Sequence, residues 1–257
     1  MKITTLIENL SYKRDLLAEH GLSLYLETGT SKILFDTGQS GAFIKNAKKL
    51  GVNLEDIDSV VISHGHYDHT GGLASFLRVN NKAKIYIKEE ALTEKYDAAK
   101  RKIGITFNPL LLKGRVEFIR EVKEIDNGIF IIPDIPILNN KDNSFGIFKD
   151  EFPDELYMAI ILRGELSIIT GCSHRGITNI IGSAVNHFNL PVNLVLGGFH
   201  TMNHTPAQFE TVLDYFRNNV PKSIGACHCT GIEKYAIISN KCDTNVFYNS
   251  TGSVIEI

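Results

Sequence analysis

The chain has 257 residues, 43% of them hydrophobic, with 27 Lys and Arg against 29 Asp and Glu and a formal net charge of −2. That apolar content can bury one large core, so a single α/β domain over 1–257 suits it better than two small ones. The basic residues are dispersed, and nothing argues for nucleic acid as an obligatory partner.

The N-terminus reaches Glu8 before any signal-peptide core could form, and no apolar run approaches the ~20 residues of a spanning helix. A cytoplasmic location without membrane contact is expected. The four cysteines, Cys172, Cys227, Cys229 and Cys242, make no C-x-x-C. Small buried thiols, kept reduced, are a better reading of them than metal ligation.

In chain order, strands are predicted at Lys2–Glu8, Leu22–Glu27 and Lys32–Asp36. A helix over Gly41–Leu50 follows, with Phe43, Ala47 and Leu50 on one face and Gly51 stopping it. Asp36 reads both as a turn former before Thr37-Gly38 and as a buried acceptor that would orient an imidazole. The β-branched run 57–63 reads as a buried strand. Directly after it, His64-Gly65-His66-Tyr67-Asp68-His69 puts three imidazoles and a carboxylate into six residues, and Gly71-Gly72 opens a short helix. A strand-to-helix loop presents side chains to a cleft. His64 and His66 can reach one metal from the same side, while Asp68 and His69 can face a second. Neutral imidazole and carboxylate are donors that Zn, Mn and Fe(II) accept.

A strand at Lys84–Lys88 is followed by a segment, about 89–152, that breaks the rhythm. Leu92–Lys102 reads as a charged helix ended by Asn108-Pro109, and Asn139–Gly146 as a polar loop. Such an insertion serves either substrate selection or nothing beyond a surface excursion. The second half repeats the pattern of the first. It has a hairpin across Arg163-Gly164, an amphipathic helix over Gly176–Phe188, a strand at Val192–Leu196 and a helix from Thr205-Pro206 to Asn219. The strand Ser223–Ala226 and a closing pair near 246–248 and 253–257 end it.

His174, His200 and His228 each follow a strand. His204 reads as a surface residue, His187 as a helix-terminus residue, and His20 carries no assigned chemistry. Serine-hydrolase, P-loop and dinucleotide signatures are absent: Arg175 stands where G-x-S-x-G needs its second glycine, and there is no G-x-x-x-x-G-K-[ST] and no G-x-G-x-x-G after a strand.

The H-x-H-x-D-H string, with 35–40 (FDTGQS), Gly171-Cys172-Ser173-His174, Gly197-Gly198-Phe199-His200 and His228-Cys229-Thr230-Gly231 in that order, resembles the metallo-β-lactamase fold superfamily. Within it the chain is similar to the dihydropterin-ribofuranosylaminobenzene-phosphate synthase-like metallohydrolases, over nearly its whole length. The resemblance implies an αββα sandwich, two facing mixed β-sheets flanked by helices. It also implies two divalent ions, zinc first and Mn2+ or Fe2+ as alternatives, with His174 completing a set with His64 and His66, and His228 a set with Asp68 and His69. Many members carry a bridging carboxylate after the strand equivalent to 192–196. His200 stands there instead, which makes it a candidate ligand and, with Asp68, a candidate participant in the reaction.

The implied function is a metal-dependent hydrolase in which a metal-bridging hydroxide attacks a phosphoester, lactone or related small molecule, with no need of a serine nucleophile or a separate histidine base, since the metals generate the nucleophile. The alternative is a transferase of the dihydropterin type. A non-catalytic binding module has little need of so full a ligand set. The expected partner is a small, phosphorylated substrate, and homo-oligomerisation is left open.

Overall fold

The computed structural model describes residues 1–257, which divide into two compact units, 1–120 with 250–257, and 121–249. The first unit holds β1 (Lys2–Ile7), β2 (Ser23–Glu27), β3 (Lys32–Phe35), β4 (Ser59–Val61), β5 (Lys84–Ile87), β6 (Val116–Phe118) and β14 (Val254–Glu256) in one sheet, ordered β14-β1-β2-β3-β4-β5-β6. Pairing is antiparallel from β14 to β3 and parallel from β3 to β6. Parallel strands are usually covered on both faces and read as continuous apolar runs. Accordingly Ile33, Leu34, Phe35, Val60, Val61, Ile85 and Ile87 are all buried. Helices α1 (Ala42–Lys49) and α3 (Leu73–Val79) pack Phe43, Ala47, Leu73 and Phe76 onto Leu34, Val60, Ile62 and Ile85. Because β3 and β4 run parallel, their C-terminal ends share one edge, and Asp36 N–H donates to the Val61 carbonyl there. The single-turn helix α2 (Tyr67–Thr70) lies in the loop beyond β4.

The second unit repeats the plan with β7 (Lys123–Asp126), β8 (Ile129–Ile132), β9 (Tyr157–Leu162), β10 (Glu165–Thr170), β11 (Val192–Gly198), β12 (Ser223–Cys227) and β13 (Asn245–Tyr248). Its order is β13-β12-β11-β10-β9-β8-β7. The meander β7 to β10 is antiparallel, and β10 to β13 are parallel. Helices α5 (Ile177–Phe188), α6 (Pro206–Asn218) and α7 (Ile232–Lys241) supply Ile177, Ile180, Ile181, Phe209, Val212, Phe216 and Ile238 to a core with Leu166, Ile168, Val195 and Ile224. In β11, Gly197 has φ +143°, and a Cβ there would lie 2.1 Å from the Thr170 carbonyl oxygen. Only glycine lets these two backbones approach so closely.

Three local expectations change. Leu92–Lys102 is not a helix. Asp97 accepts from the Arg101 N–H and Nε, and Tyr96 bridges antiparallel to Lys102, so a local side-chain acceptor folds the segment back on itself. The irregular segment 89–152 supplies strands, β6 to one sheet and β7 and β8 to the other, besides the single-turn helix α4 (Phe145–Phe148). The last two strands pair in different sheets, β13 with β12 and β14 with β1. All four cysteines are buried and free.

The loop at 139–144 is fastened to α5 by Asp142. That residue is buried, and its Oδ2 accepts from the Thr178 N–H in the first turn of a helix whose N-cap is Gly176. Burial pushes the Asp142 carboxyl up to about 6 from 3.8. An unfolded chain releases this proton near 3.8 while the native state keeps it to about 6, so the native state binds more protons between those values. Raising the pH through that window therefore destabilises the fold. In urea unfolding between pH 4 and 7, the wild type should lose on the order of 3 kcal/mol relative to Asp142→Asn, which keeps the acceptor and lacks the charge.

Candidate metal centre

In the first unit the site grows from the shared edge of β3 and β4. Asp36, left-handed at φ 56° and fully buried, accepts from the Ser63 N–H at 2.8 Å and the Ser63 hydroxyl at 2.7 Å. Its Oδ2 also lies 2.6 Å from His69 Nδ1. The Ser63 hydroxyl lies 2.9 Å from His64 Nδ1. One carboxylate thus sets two rings, His69 directly and His64 through Ser63. The backbone is tied in as well: Thr37 N–H and hydroxyl donate to the His69 carbonyl, and Leu22 N–H to that of Asp68. Gly65 is required between the first two histidines, since a Cβ there would lie 2.2 Å from the Ala91 carbonyl oxygen.

The rings converge. His64 is 4.7 Å from His66 and 4.3 Å from His69 between centroids. Asp68 Oδ2 is 3.8 Å from His69 Nε2 and 3.1 Å from Nε2 of the half-exposed His20. Burial holds the His64 pKa well below the usual imidazole value, and the neighbouring His69 and His66 push it further down. Neutral imidazole is the metal-binding form.

In the second unit, the loop after β10 carries His174 and the loop after β11 carries His200, with ring centroids 4.4 Å apart. His174 Nδ1 is 2.9 Å from the Ser144 hydroxyl, and Ser144 N–H donates to the His174 carbonyl. Buried Glu155 accepts from the N–H groups of His174 and Arg175, and burial raises its carboxyl to about 7 against those two bonds. Phe152 stacks parallel on His174 at 3.9 Å, and Phe148 stands edge-on to both His174 and His200. His228 follows β12 in a single 3-10 turn, buried and left-handed at φ 51°. Beside it, the Cys229 thiol donates to the Cys172 carbonyl.

Within the first unit, then, His64, His66, Asp68 and His69 come together, and within the second His174 and His200 do, with His228 just beyond the end of the neighbouring parallel strand. The sequence reading passed over Ser63, Ser144, Glu155, Phe148, Phe152 and the placement of His20 beside Asp68. Short polar and aromatic residues in loops carry no spacing signal. His204, expected on the surface, is buried. His187 is exposed at the end of α5 with its ring against Phe188.

The donors fit divalent ions. Nδ1 of His64, His69 and His174 is engaged by Ser63, Asp36 and Ser144, which leaves Nε2 of each ring as the atom that would face a cation. In the first unit Asp68 adds an oxygen donor beside His69, giving nitrogen and oxygen donors of the kind zinc takes.

The chain is similar to several known proteins. The metallo-beta-lactamase superfamily model matches residues 17–156. MJ0448, an uncharacterized protein of Methanocaldococcus jannaschii, is 32% identical over 99% of this chain and 100% of its own. The 7,8-dihydropterin-6-methyl-4-(beta-D-ribofuranosyl)-aminobenzene-5'-phosphate synthase of the same organism is 28% identical over 91% of this chain and 88% of its own. Among solved structures, Tm1679, described as a metal-dependent hydrolase of the beta-lactamase superfamily, is 31% identical with a TM-score of 0.88, covering 100% of this chain and 99% of its own. Two mixed sheets with flanking helices are the fold of these neighbours.

Asp36→Asn tests the anchoring carboxylate. Asparagine tolerates the left-handed backbone and fills the same space but cannot accept from all three donors. The variant should fold with reduced stability in urea and bind divalent ions roughly 10–100-fold more weakly in a chelator competition.

Proposed function

Because the chain belongs to the metallo-beta-lactamase superfamily, we propose that it is a divalent-metal-dependent hydrolase acting on a phosphoester, lactone or related small molecule. The observation that supports this best is the cluster of His64, His66 and His69 rings, two of them set by buried Asp36, with Asp68 beside them. His64, His66 and His174 would hold one ion, and Asp68, His69 and His228 a second, with His200 as a further donor; zinc suits the set best, Mn2+ or Fe2+ next. Ions held there supply an acidified water and stabilise the developing oxyanion.

The chain's own residues supply position. Asp36 and Ser63 fix two rings, Ser144 and Phe152 fix His174, and Phe148 keeps bulk water from His174 and His200. His20, at hydrogen-bond distance from Asp68, can take up or return a proton at that carboxylate. A small phosphorylated substrate and a cytoplasmic setting belong to this proposal. No helix is long and apolar enough to cross a membrane.

The relative named as a synthase supports a second reading, transfer of a dihydropterin group to an arylamine with loss of diphosphate. Product formation from a dihydropterin diphosphate and the arylamine, set against hydrolysis of aryl phosphodiesters, separates the two.

For the leading reading, His66→Ala and Asp68→Ala should lose bound metal and turnover together, by about 10³-fold or more in rate, while keeping wild-type circular dichroism. Full turnover by metal-depleted Asp68→Ala protein would refute it.

A further inference from the structure

Cys172 differs from the other cysteines in what surrounds its sulfur. It is 3% exposed and in no disulfide. Its Sγ lies within 4.8 Å of a ring nitrogen of His174, and within 4.8 Å of one of His228. Donors about 2.1 and 2.3 Å from one zinc ion stand roughly 3.6 Å apart at a tetrahedral angle. Each pair is therefore near the spacing of two ligands on a single ion. The other thiols are placed differently. That of Cys229 donates to the Cys172 carbonyl, and Cys242 belongs to the apolar core of the second unit.

The turn that carries the sulfur is firmly held. Ser173 is left-handed at φ 58°. Its hydroxyl donates to the Gly198 carbonyl at 2.7 Å and lies 3.1 Å from the Thr170 hydroxyl. Ser173 is thus turned back onto the strand ends, while Cys172 and His174 on either side of it bring their donor atoms together. Gly198 N–H donates to the Gly171 carbonyl, and a Cβ at 198 would lie 2.6 Å from Cys229 Sγ and 3.4 Å from the His228 ring. A residue without a side chain lets the turns after β10 and β12 close over the end of β11, and that closure brings His228 to Cys172.

We propose that the Cys172 thiolate is a metal ligand shared between the ion held by His174 and the ion held by His228, and so supplies the anionic bridge that His200 does not. The proposal rests on the two-ion reading above and departs from the view of all four cysteines as packing residues. On binding, the thiol proton leaves to solvent as the sulfur–metal bond forms. A thiolate in the set favours zinc over Mn2+.

The test uses the full chain, stripped with a chelator and titrated with Co2+, and reads absorption in the near ultraviolet. A cobalt–thiolate bond gives a charge-transfer band there that nitrogen and oxygen ligands do not. The band should grow until two equivalents of cobalt are bound, and Cys172→Ser should lose it. The same variant should also lose most of the preference for zinc over Mn2+ in a metal competition. If Cys172→Ser does not fold, survival of the band in Cys227→Ser, Cys229→Ser and Cys242→Ser assigns it to Cys172 by elimination. Cobalt bound without the band, or a band that survives Cys172→Ser, overturns the proposal and leaves the hydrolase reading standing. A band complete at one equivalent overturns the sharing. No cobalt uptake overturns both readings, whereas the band without hydrolysis of any phosphodiester or lactone supports the ligand and counts against the hydrolase alone.

Discussion

The first half of the candidate centre depends on one buried carboxylate. Asp36 carries three donors, the Ser63 N–H, the Ser63 hydroxyl and His69 Nδ1, at 2.6–2.8 Å and with no exposure to solvent. A buried carboxyl group is tolerated when its oxygens are hydrogen-bonded, and here both are. The arrangement also binds two adjacent strand ends, because the donors come from the loop after β4 and the acceptor from the end of β3. Replacing either partner would leave the other buried and unsatisfied. Fold stability and ring orientation are therefore the same interaction seen twice.

The strand ends share a backbone device. Asp36, Ser173, His200 and His228 all sit at positive φ, each just after a strand. A non-glycine residue there pays a steric cost of about 1 kcal/mol or more, and such residues persist where surrounding structure fixes them. The left-handed step turns the chain sharply off the strand, so the side chain at the turn, or one residue beyond, projects past the sheet edge. Parallel strands make the device additive, since their C-terminal ends lie side by side.

How much of this was legible follows from the physics of each signal. The β-branched run before His64 and the stripe of Ile177, Ile180, Ile181 and Ala184 have strict periods, and both elements are where those periods place them. The segment 89–152 had no period to read: β6 and β7 are short, half-exposed strands, and Ile129–Ile132 is four residues long. The helix expected over 92–102 failed because Asp97 competes for backbone donors more effectively than a charged sequence propagates a helix. At the centre, histidines and Asp68 stood out by chemistry. Ser63, Ser144 and Phe152 did not, because a hydroxyl or ring becomes an orienting group only through contacts 1 to 30 residues distant in the chain.

The same aromatic contacts bear on His200, which stands where the resemblance leads one to expect a carboxylate. His200 is 7% exposed, edge-on to Phe148 at 5.4 Å and tilted against His174 at 4.4 Å. Phe152 covers the other face of His174. A carboxylate at 200 would be an anion in this buried place, and its desolvation would cost several kcal/mol. A neutral imidazole keeps a donor nitrogen at that place without the charge. The substitution also leaves Asp68 as the single carboxylate among the proposed ligands. Any divalent ion bound by such a set alone would be less neutralised than with a further carboxylate, and would attract an anion more strongly.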